Sequence, residues 1–65
     1  DSLQPGQRVL IVDDVLATGG TLEGTLRLVE QSRAQVIGLV VLLELRALKG
    51  RDRIKGHRLE TLIQM

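Results

Sequence analysis

The chain is 65 residues long, which allows at most one small domain whose folding buries only about 60% of the unfolded chain's surface. It contains no cysteine, so disulfides and thiolate metal sites are excluded and a reducing, cytoplasmic environment is expected. It also lacks Phe, Tyr and Trp and carries a net charge of +1, so it offers no aromatic platform for stacking the bases of single-stranded nucleic acid.

A turn is predicted at the N-terminal stretch DSLQPG, which is polar and contains the only proline of the chain. The sequence begins with Asp rather than Met and shows no signal-peptide pattern. It also has no apolar run near the roughly 18 residues that span a membrane. We therefore expect a protein without membrane contacts that forms part of a longer chain.

The first strand is predicted at residues 8–12, a continuous apolar run rich in β-branched residues. Such a run suits a strand of a parallel sheet with both faces covered by protein. The strand is expected to end where two adjacent carboxylates, Asp13 and Asp14, begin.

An amphipathic helix is predicted to begin at Thr21 and to end near Arg33 or Ala34. Gly24 lowers its helix propensity by ~1 kcal/mol relative to Ala, so the helix is expected to depend on packing against a sheet. Its apolar side chains recur at helical spacing at Leu22, Leu26 and Val29, with Leu28 widening the stripe.

A second buried strand is predicted at residues 36–45, VIGLVVLLEL, in which Gly38 marks close packing or a bulge. Strand, helix and strand with short connections form a βαβ unit, so the two strands should be parallel. A short helical turn over RALKGRDRIKG and a weak edge strand in HRLETLIQM follow. One helix leaves at least one face of such a sheet poorly covered.

The motif at residues 9–21, VLIVDDVLATGGT, joins the first strand to the helix. In an open α/β sheet, ligands bind beyond the carboxyl ends of the strands, where the following helix begins. Small side chains let the loop backbone approach a ligand closely, and the start of the helix adds unpaired N–H groups and a positive dipole end. The residues predicted to bind a phosphate monoester are Ala17, Thr18, Gly19, Gly20 and Thr21.

Asp13 and Asp14 would repel this phosphate, but they can accept hydrogen bonds from neutral hydroxyl groups. Adjacent carboxylates suit the vicinal 2′ and 3′ hydroxyls of a ribose whose 5′-phosphate lies in the loop. The residues therefore predict a ribose 5-phosphate ligand. A magnesium ion bound between the carboxylates and the sugar hydroxyls is an alternative, because Mg²⁺ prefers hard oxygen ligands.

Two other interpretations of the motif are open at this point. It could be only an acidic strand end followed by a glycine turn. It could also belong to a response-regulator receiver domain, in which paired acids after the first strand bind Mg²⁺. Against the receiver, Glu44 stands where a phospho-acceptor Asp would be expected, and ATGGT has no role there.

The apolar run, the paired acids and ATGGT resemble the phosphoribosyl pyrophosphate signature of the type I phosphoribosyltransferases. Within that family, VVLLELRALKGRDRI followed by LETLIQM is similar to the C-terminal part of the adenine-specific members. The resemblance implies an α/β fold over residues 1–65, as an incomplete, parallel-sheet βαβ portion of the family domain. It assigns the ribose hydroxyls to Asp13 and Asp14 and the 5′-phosphate to the loop.

The activity implied by the resemblance is transfer of a phosphoribosyl group from phosphoribosyl pyrophosphate to adenine, giving AMP and pyrophosphate in purine salvage. It also implies Mg²⁺ as the cofactor and a homodimer as the complete form. Family members hold the base and the pyrophosphate through residues upstream of this motif. We therefore expect the isolated 65 residues to be inactive, and we assign no catalytic residue and no separate metal ligand.

Two alternatives to that activity follow from the same residues. Because the base is held elsewhere, a guanine, orotate or xanthine enzyme would keep nearly the same loop. The chain could also be a non-catalytic module that binds ribose phosphates or an oligomeric partner.

Glu44 lies at the end of the second predicted strand and so points toward the edge where the ligand is expected. The resemblance places a Glu there, but a helix cap or a salt bridge to Arg46 or Lys49 is the favoured alternative. Lys49 and Arg51 could pair with Asp52 or support a subunit interface.

The segment at residues 46–58 carries six basic residues against one acidic residue. A solvated basic surface is the favoured interpretation, with contact to phosphates or nucleic acid as the alternative. His57 within it is expected to be a surface residue without a catalytic role.

Overall fold

The fold is a small parallel sheet with one helix, and the computed structural model describes residues 3–65 of it. Strand β1 (Arg8–Leu16), helix α1 (Gly20–Gln31), strand β2 (Gln35–Glu44) and strand β3 (Leu59–Gln64) follow in chain order. The strands lie in the order β1-β2-β3, and both neighbouring pairs are parallel. The predicted βαβ unit and the edge position of the last strand are confirmed.

Strand β1 is longer than predicted, and the expectation that it ends before the carboxylates is wrong. Its pairing with β2 continues through Asp13, which lies opposite Val41, to Leu16, which lies opposite Glu44. The ladder uses backbone groups, so polar side chains do not interrupt it as long as the neighbouring strand continues. Asp13 and Asp14 therefore lie within the strand rather than in the loop after it.

Helix α1 begins one residue before the predicted start and ends earlier than predicted, at Gln31. The Ser32 hydroxyl donates a hydrogen bond of 2.6 Å to the carbonyl oxygen of Val29, and Arg33 adopts a left-handed conformation with φ 64°. Both features end a helix, since they take up its last carbonyl groups and turn the chain away.

The apolar face of α1 is narrower than predicted. Leu22, Leu26 and Val29 are buried as expected, whereas Leu28 is 68% exposed. The buried face of the helix contributes to a single cluster with residues of the sheet and of the C-terminal turns. The cluster consists of Ile11, Leu16, Leu22, Leu26, Val29, Ala34, Leu39, Val41 and Ile54.

One face of the sheet is poorly covered, as the sequence predicts. Leu10, Val12, Leu42 and Leu62 are between 50% and 70% exposed. The expectation that the first two strands are buried on both faces is therefore wrong for the described residues. A 12-residue helix is only about 18 Å long and covers a single face.

Gly38 lies beside an irregularity in the β1–β2 ladder, as predicted. Val9 lies opposite Val36, but Leu10 lies opposite Gly38, so Ile37 is an extra residue in β2. A Cβ at Gly38 would lie 3.4 Å from a methyl group of Leu10, which is tight. Strand β2 itself runs from Gln35 to Glu44, one residue earlier than predicted.

The predicted N-terminal turn is present over the part of DSLQPG that lies within the described residues. The backbone N–H of Gln7 donates to the carbonyl oxygen of Gln4 over 3.1 Å, with Pro5 and Gly6 between them and Gly6 at φ 82°. This order of residues is that of a type II turn. Asp1 and Ser2 lie outside the described residues.

The segment between β2 and β3 forms two short 3-10 turns, Arg46–Leu48 and Gly50–Ile54, separated by Lys49 at φ 55°. His57 is less exposed than predicted, because its side chain is only 24% exposed and its Nε2 lies 3.8 Å from a carboxylate oxygen of Glu30. No helix within residues 3–65 has the length and apolar character needed to cross a bilayer.

Candidate functional site

The loop that joins β1 to α1 lies at the carboxyl edge of the sheet. The parallel register aligns the last residues of the three strands, Leu16, Glu44 and Gln64, at this edge. A small pocket of about 60 Å³ opens at the loop, several times the ~10–15 Å³ that a single water needs. Its lining is formed by Val15, Leu16, Ala17, Thr18, Gly19, Thr21 and Leu22.

Gly19 gives the loop its shape. It precedes the helix with φ 88° and ψ −3°, a left-handed conformation that favours glycine. A Cβ at this position would also lie 2.5 Å from the carbonyl oxygen of Gly50 and 3.2 Å from the Cβ of Arg53. Conformation and space both exclude a larger residue at position 19.

Gly50 packs directly against the backbone of the loop. A Cβ at Gly50 would overlap the carbonyl oxygen of Ala17 and would lie 2.9 Å from the backbone nitrogen of Gly19. The turn Gly50–Ile54 therefore supports the loop backbone directly, with no side chain between them.

The backbone N–H groups of the loop and of the first helical turn are largely free. Glu23 makes the first helical hydrogen bond, from its N–H to the carbonyl oxygen of Gly19 over 2.8 Å. Gly20 donates only a long bond of 3.4 Å to the Thr18 hydroxyl, and no side chain caps the helix. Within residues 3–65, the N–H groups of Thr18, Gly19, Thr21 and Leu22 have no acceptor.

These free donors make the loop suitable for an anion. Consecutive N–H groups at a helix start, together with the positive end of the helix dipole, attract a phosphate. The hydroxyls of Thr18 and Thr21 lie on exposed residues of the same loop and can donate as well. The residues predicted to bind phosphate are thus contiguous, and all but Gly20 line the pocket.

The two carboxylates of the motif have different environments. Asp13 is half-buried and its Oδ1 accepts a hydrogen bond of 2.8 Å from the backbone N–H of Asp14, whose own side chain is exposed. Neither carboxylate forms an ion pair with a basic group within residues 3–65, and neither lines the loop pocket. The two carboxylates therefore differ in burial and in hydrogen bonding, and they are not equivalent.

Glu44 has a structural partner that the sequence did not indicate. Its carboxylate accepts hydrogen bonds from Nε and Nη2 of Arg51 over 3.0 and 2.7 Å and from Nε2 of Gln64 over 3.2 Å. The predicted salt bridge to Arg46 or Lys49 and the predicted pairing of Arg51 with Asp52 are therefore wrong. Glu44 is the buried end of β2, and the guanidinium of Arg51 reaches it with two parallel donors.

Arg51 lowers the pKa of Glu44. Its hydrogen bonds are the largest cause, burial acts in the opposite direction, and its charge adds to the lowering. The same hydrogen bonds raise the pKa of Arg51. Both groups are therefore charged near neutral pH.

The family of the chain follows from comparison with known proteins. The profile of the phosphoribosyl transferase domain matches residues 2–64. The chain belongs to the phosphoribosyltransferase family. This membership rejects the receiver-domain interpretation, and it agrees with the α/β fold predicted from the sequence.

The relatives of this phosphoribosyltransferase chain include several named for adenine. It is 55% identical over 64 residues to the adenine phosphoribosyltransferase of Symbiobacterium thermophilum, a match that covers 98% of this chain and 38% of that protein. The chain thus spans well under half the length of the curated relatives it matches.

Solved structures of relatives share the fold closely. The adenine phosphoribosyltransferase of Thermoanaerobacter pseudethanolicus superimposes with a TM-score of 0.96 at 43% identity, over 100% of this phosphoribosyltransferase chain and 38% of that one. The enzyme of Trypanosoma brucei, solved with AMP, pyrophosphate and ribose-5-phosphate, gives a TM-score of 0.87 at 28% identity over 95% of this chain and 30% of that one.

Neither Gly50 nor Arg51 is indicated as part of the site by the sequence. No local pattern marks them, because Gly50 contacts the loop from about thirty residues further along the chain. One weak signal was present: Glu44 is a lone charge at the end of an apolar strand, and such a charge needs a basic partner when buried.

Proposed function

We propose that this chain provides the ribose 5-phosphate half of the active site of an adenine phosphoribosyltransferase. The complete protein would transfer the phosphoribosyl group of phosphoribosyl pyrophosphate to adenine, releasing AMP and pyrophosphate in purine salvage. The observation that carries the proposal is the row of free N–H groups in a loop whose shape depends on Gly19. The names of the relatives support adenine as the base.

In this proposal the two ends of the sugar phosphate contact different parts of the motif. The backbone of residues 17–21 and the hydroxyls of Thr18 and Thr21 donate hydrogen bonds to the 5′-phosphate. Asp13 and Asp14 accept hydrogen bonds from the ribose hydroxyls, which is supported by the lack of an internal ion pair at either carboxylate within residues 3–65. Held at both ends, the sugar presents its anomeric carbon in a fixed orientation.

Fixing the sugar is itself a contribution to catalysis. A displacement at the anomeric carbon needs the incoming base and the departing pyrophosphate aligned with that carbon. This chain orients the carbon, and groups that hold pyrophosphate would stabilise the charge that develops as it leaves.

Magnesium fits the donors that this chain offers. Within the described residues there is no group of three or more His, Cys, Asp or Glu side chains that could enclose a metal ion. Mg²⁺ is commonly held by one or two carboxylates, waters and substrate phosphates, without a protein cage. Asp13 and Asp14 are the residues that would contribute, and the bound ion would supply neutralisation of negative charge on the pyrophosphate.

We also propose that the complete protein is a cytoplasmic homodimer. A cytoplasmic location is supported by the lack of cysteine in the sequence. The homodimer is the assembly that the resemblance to the family implies.

A hybrid enzyme tests this function. In it, the matching 64 residues of the Symbiobacterium thermophilum enzyme are replaced by the corresponding residues of this chain. Gly19→Val should abolish binding of ribose 5-phosphate in calorimetric titrations, because its side chain would collide with the backbone of Gly50. The matched control is Gly24→Ala, where a Cβ meets no atom within 4 Å, and ribose 5-phosphate should bind it as before.

The same hybrid enzyme tests the carboxylates one at a time. Asp13→Asn or Asp14→Asn should weaken ribose 5-phosphate binding about 10- to 150-fold, since a hydrogen bond to a charged group contributes ~1.5–3 kcal/mol. A variant that has lost the partner of the 2′-hydroxyl should no longer prefer ribose 5-phosphate over 2-deoxyribose 5-phosphate. Unchanged affinity and unchanged preference in both variants would refute the assignment of these residues to the sugar.

A further inference from the structure

Glu44 is an unusual residue to find where it lies. It lies at the carboxyl end of the central strand and is only 3% exposed. Among residues 3–65, it is the charged residue that the fold buries. Three hydrogen bonds satisfy it, two from the guanidinium of Arg51 and one from the side-chain amide of Gln64. The shared register of Glu44 and Gln64 explains the amide contact, but the contact with Arg51 depends on how the next segment folds back.

Arg51 belongs to the turn that supports the loop. It directly follows Gly50, whose backbone lies against Ala17 and Gly19 with no room for a Cβ on either side. An arginine held by two parallel hydrogen bonds has one orientation relative to its carboxylate. Anchoring Arg51 on Glu44 therefore also fixes the position of Gly50 against the loop.

The same turn reaches the first turn of α1. Nη1 of Arg53 lies 3.6 Å from a carboxylate oxygen of Glu23, and both side chains are partly exposed. Nη1 of Arg53 also lies 3.7 Å from the position of a Cβ built on Gly20. The turn Gly50–Ile54 thus contacts the loop and the start of the helix together.

Stability alone does not explain a buried charge at this position. The Glu44 carboxylate must be removed from water, a cost that its hydrogen bonds with the half-exposed Arg51 side chain offset. What the pair provides is a fixed geometry, since a guanidinium and a carboxylate meet in few arrangements. An apolar pair has no such directional preference, so it would hold the turn and the loop against it less firmly.

We infer that Glu44 and Arg51 are positioning residues for the 5′-phosphate site: the pair holds Gly50 against the loop and thereby fixes the N–H groups that face the phosphate. The inference rests on the proposed function. It assigns the pair an effect on ligands that carry a 5′-phosphate and no effect on recognition of the base.

The test compares AMP with adenosine, which lacks the phosphate, in calorimetric titrations of the hybrid enzyme. Arg51→Met should weaken AMP binding at least fivefold and change adenosine binding less than twofold. Arg51→Lys keeps the charge but not the two parallel donors, so it should give an intermediate loss for AMP. The matched control is Arg58→Met, since Arg58 forms only an exposed pair with Glu60 at 3.9 Å.

Kinetic constants provide a second readout of the same inference. Arg51→Met and Glu44→Gln should raise the KM for phosphoribosyl pyrophosphate and leave the KM for adenine unchanged. If Arg51→Met does not fold, Arg51→Lys and Glu44→Gln decide the result. Equal losses for AMP and adenosine would leave the ratio of the two affinities unchanged. That result would show a merely structural role and would overturn the inference.

The outcomes separate this inference from the proposed function. If the unmodified hybrid enzyme binds AMP no more tightly than adenosine, the phosphate site itself is wrong. If it prefers AMP and the Arg51 variants keep the full preference, the site is right and the positioning role is wrong.

Discussion

Glu44 shows how a single residue links stability to pH. The hydrogen bonds from Arg51 hold its pKa below the ordinary value of 4.5, although burial acts in the opposite direction. A carboxyl group whose pKa is lowered by folding stabilises the folded state above its unfolded pKa, and this stabilisation is lost as the pH falls through the lowered value. Glu44 therefore contributes fully at neutral pH and progressively less below about pH 4.5.

Glu44→Gln should reduce the free energy of unfolding by about 1–2 kcal/mol at pH 7, because a charge-assisted hydrogen bond is replaced by a weaker one. The difference between the two proteins should shrink as the pH is lowered from 6 to 3, since protonated Glu44 resembles Gln. Urea unfolding of the hybrid enzyme at several pH values measures both effects. A difference that stays constant over this range would contradict the link between the ionised carboxylate and stability.

Glycines 19 and 50 illustrate a different residue-scale effect. Glycine is required at both positions because a neighbouring backbone occupies the space that a side chain would need. At Gly38, by contrast, the short contact of an added Cβ would be with a flexible methyl group of Leu10. Substitutions at Gly19 and Gly50 are therefore expected to displace the loop. They should change the geometry of the site more than the packing of the hydrophobic core.

At the scale of elements, helix α1 is held by packing more than by its own sequence. It lacks a side-chain cap at its start and has no basic residue in its last turn, two features that would otherwise stabilise it. Its buried residues Leu22, Leu26 and Val29 supply the contacts that keep it in place.

Gly24→Ala should stabilise the protein by about 0.5–1 kcal/mol, because a helical glycine loses more conformational freedom on folding than alanine. A Cβ at Gly24 meets no atom within 4 Å, so no packing change opposes this gain. Gly56→Ala is the control: it has equal space but φ 93°, and it should destabilise. Urea unfolding of the hybrid enzyme measures both, and a loss of stability in Gly24→Ala would contradict the interpretation.

Strand β1 shows why element boundaries are hard to read from a sequence. The apolar run ends at Val12, and two carboxylates in succession normally indicate a loop. The strand nevertheless continues to Leu16 because β2 provides a partner backbone over that length. The decisive interaction is between residues about thirty positions apart, which no local pattern contains.

At the scale of the whole molecule, the proposed function assigns this chain the binding of the sugar phosphate and assigns catalysis to the complete protein. It matches 38% of the length of the Symbiobacterium thermophilum enzyme, and the proposed site would bind only the sugar phosphate. Binding of ribose 5-phosphate and turnover are therefore separate properties, which can be measured on the chain and on the hybrid enzyme.

The 65-residue polypeptide should form no AMP from adenine, phosphoribosyl pyrophosphate and Mg²⁺, because orientation of the sugar alone does not align the base or stabilise the leaving group. The hybrid enzyme should form AMP under the same conditions. Chromatographic assay of AMP compares the two. Turnover by the polypeptide alone would show that its own residues supply the base and pyrophosphate sites.

Much of the architecture was determined by the sequence itself. The short apolar runs, the helical spacing of Leu22, Leu26 and Val29, and the motif ATGGT predict a βαβ unit with an anion-binding loop. These features depend on neighbours in the chain, since strand formation, amphipathic spacing and loop flexibility are local properties. The family resemblance rests on the same contiguous motif.

Only the tertiary structure decided how the loop is held. Glu44, Arg51 and Gly50 reach the loop because β2 runs parallel to β1 and the chain then folds back in two short turns. The partner of Glu44 is the basic group that the fold brings into contact with it, which is Arg51. Proximity in the sequence indicated Arg46 and Lys49 instead. Long-range contacts of this kind follow from the register of the sheet, which pairs residues far apart in the chain. No short segment of the sequence determines that register by itself.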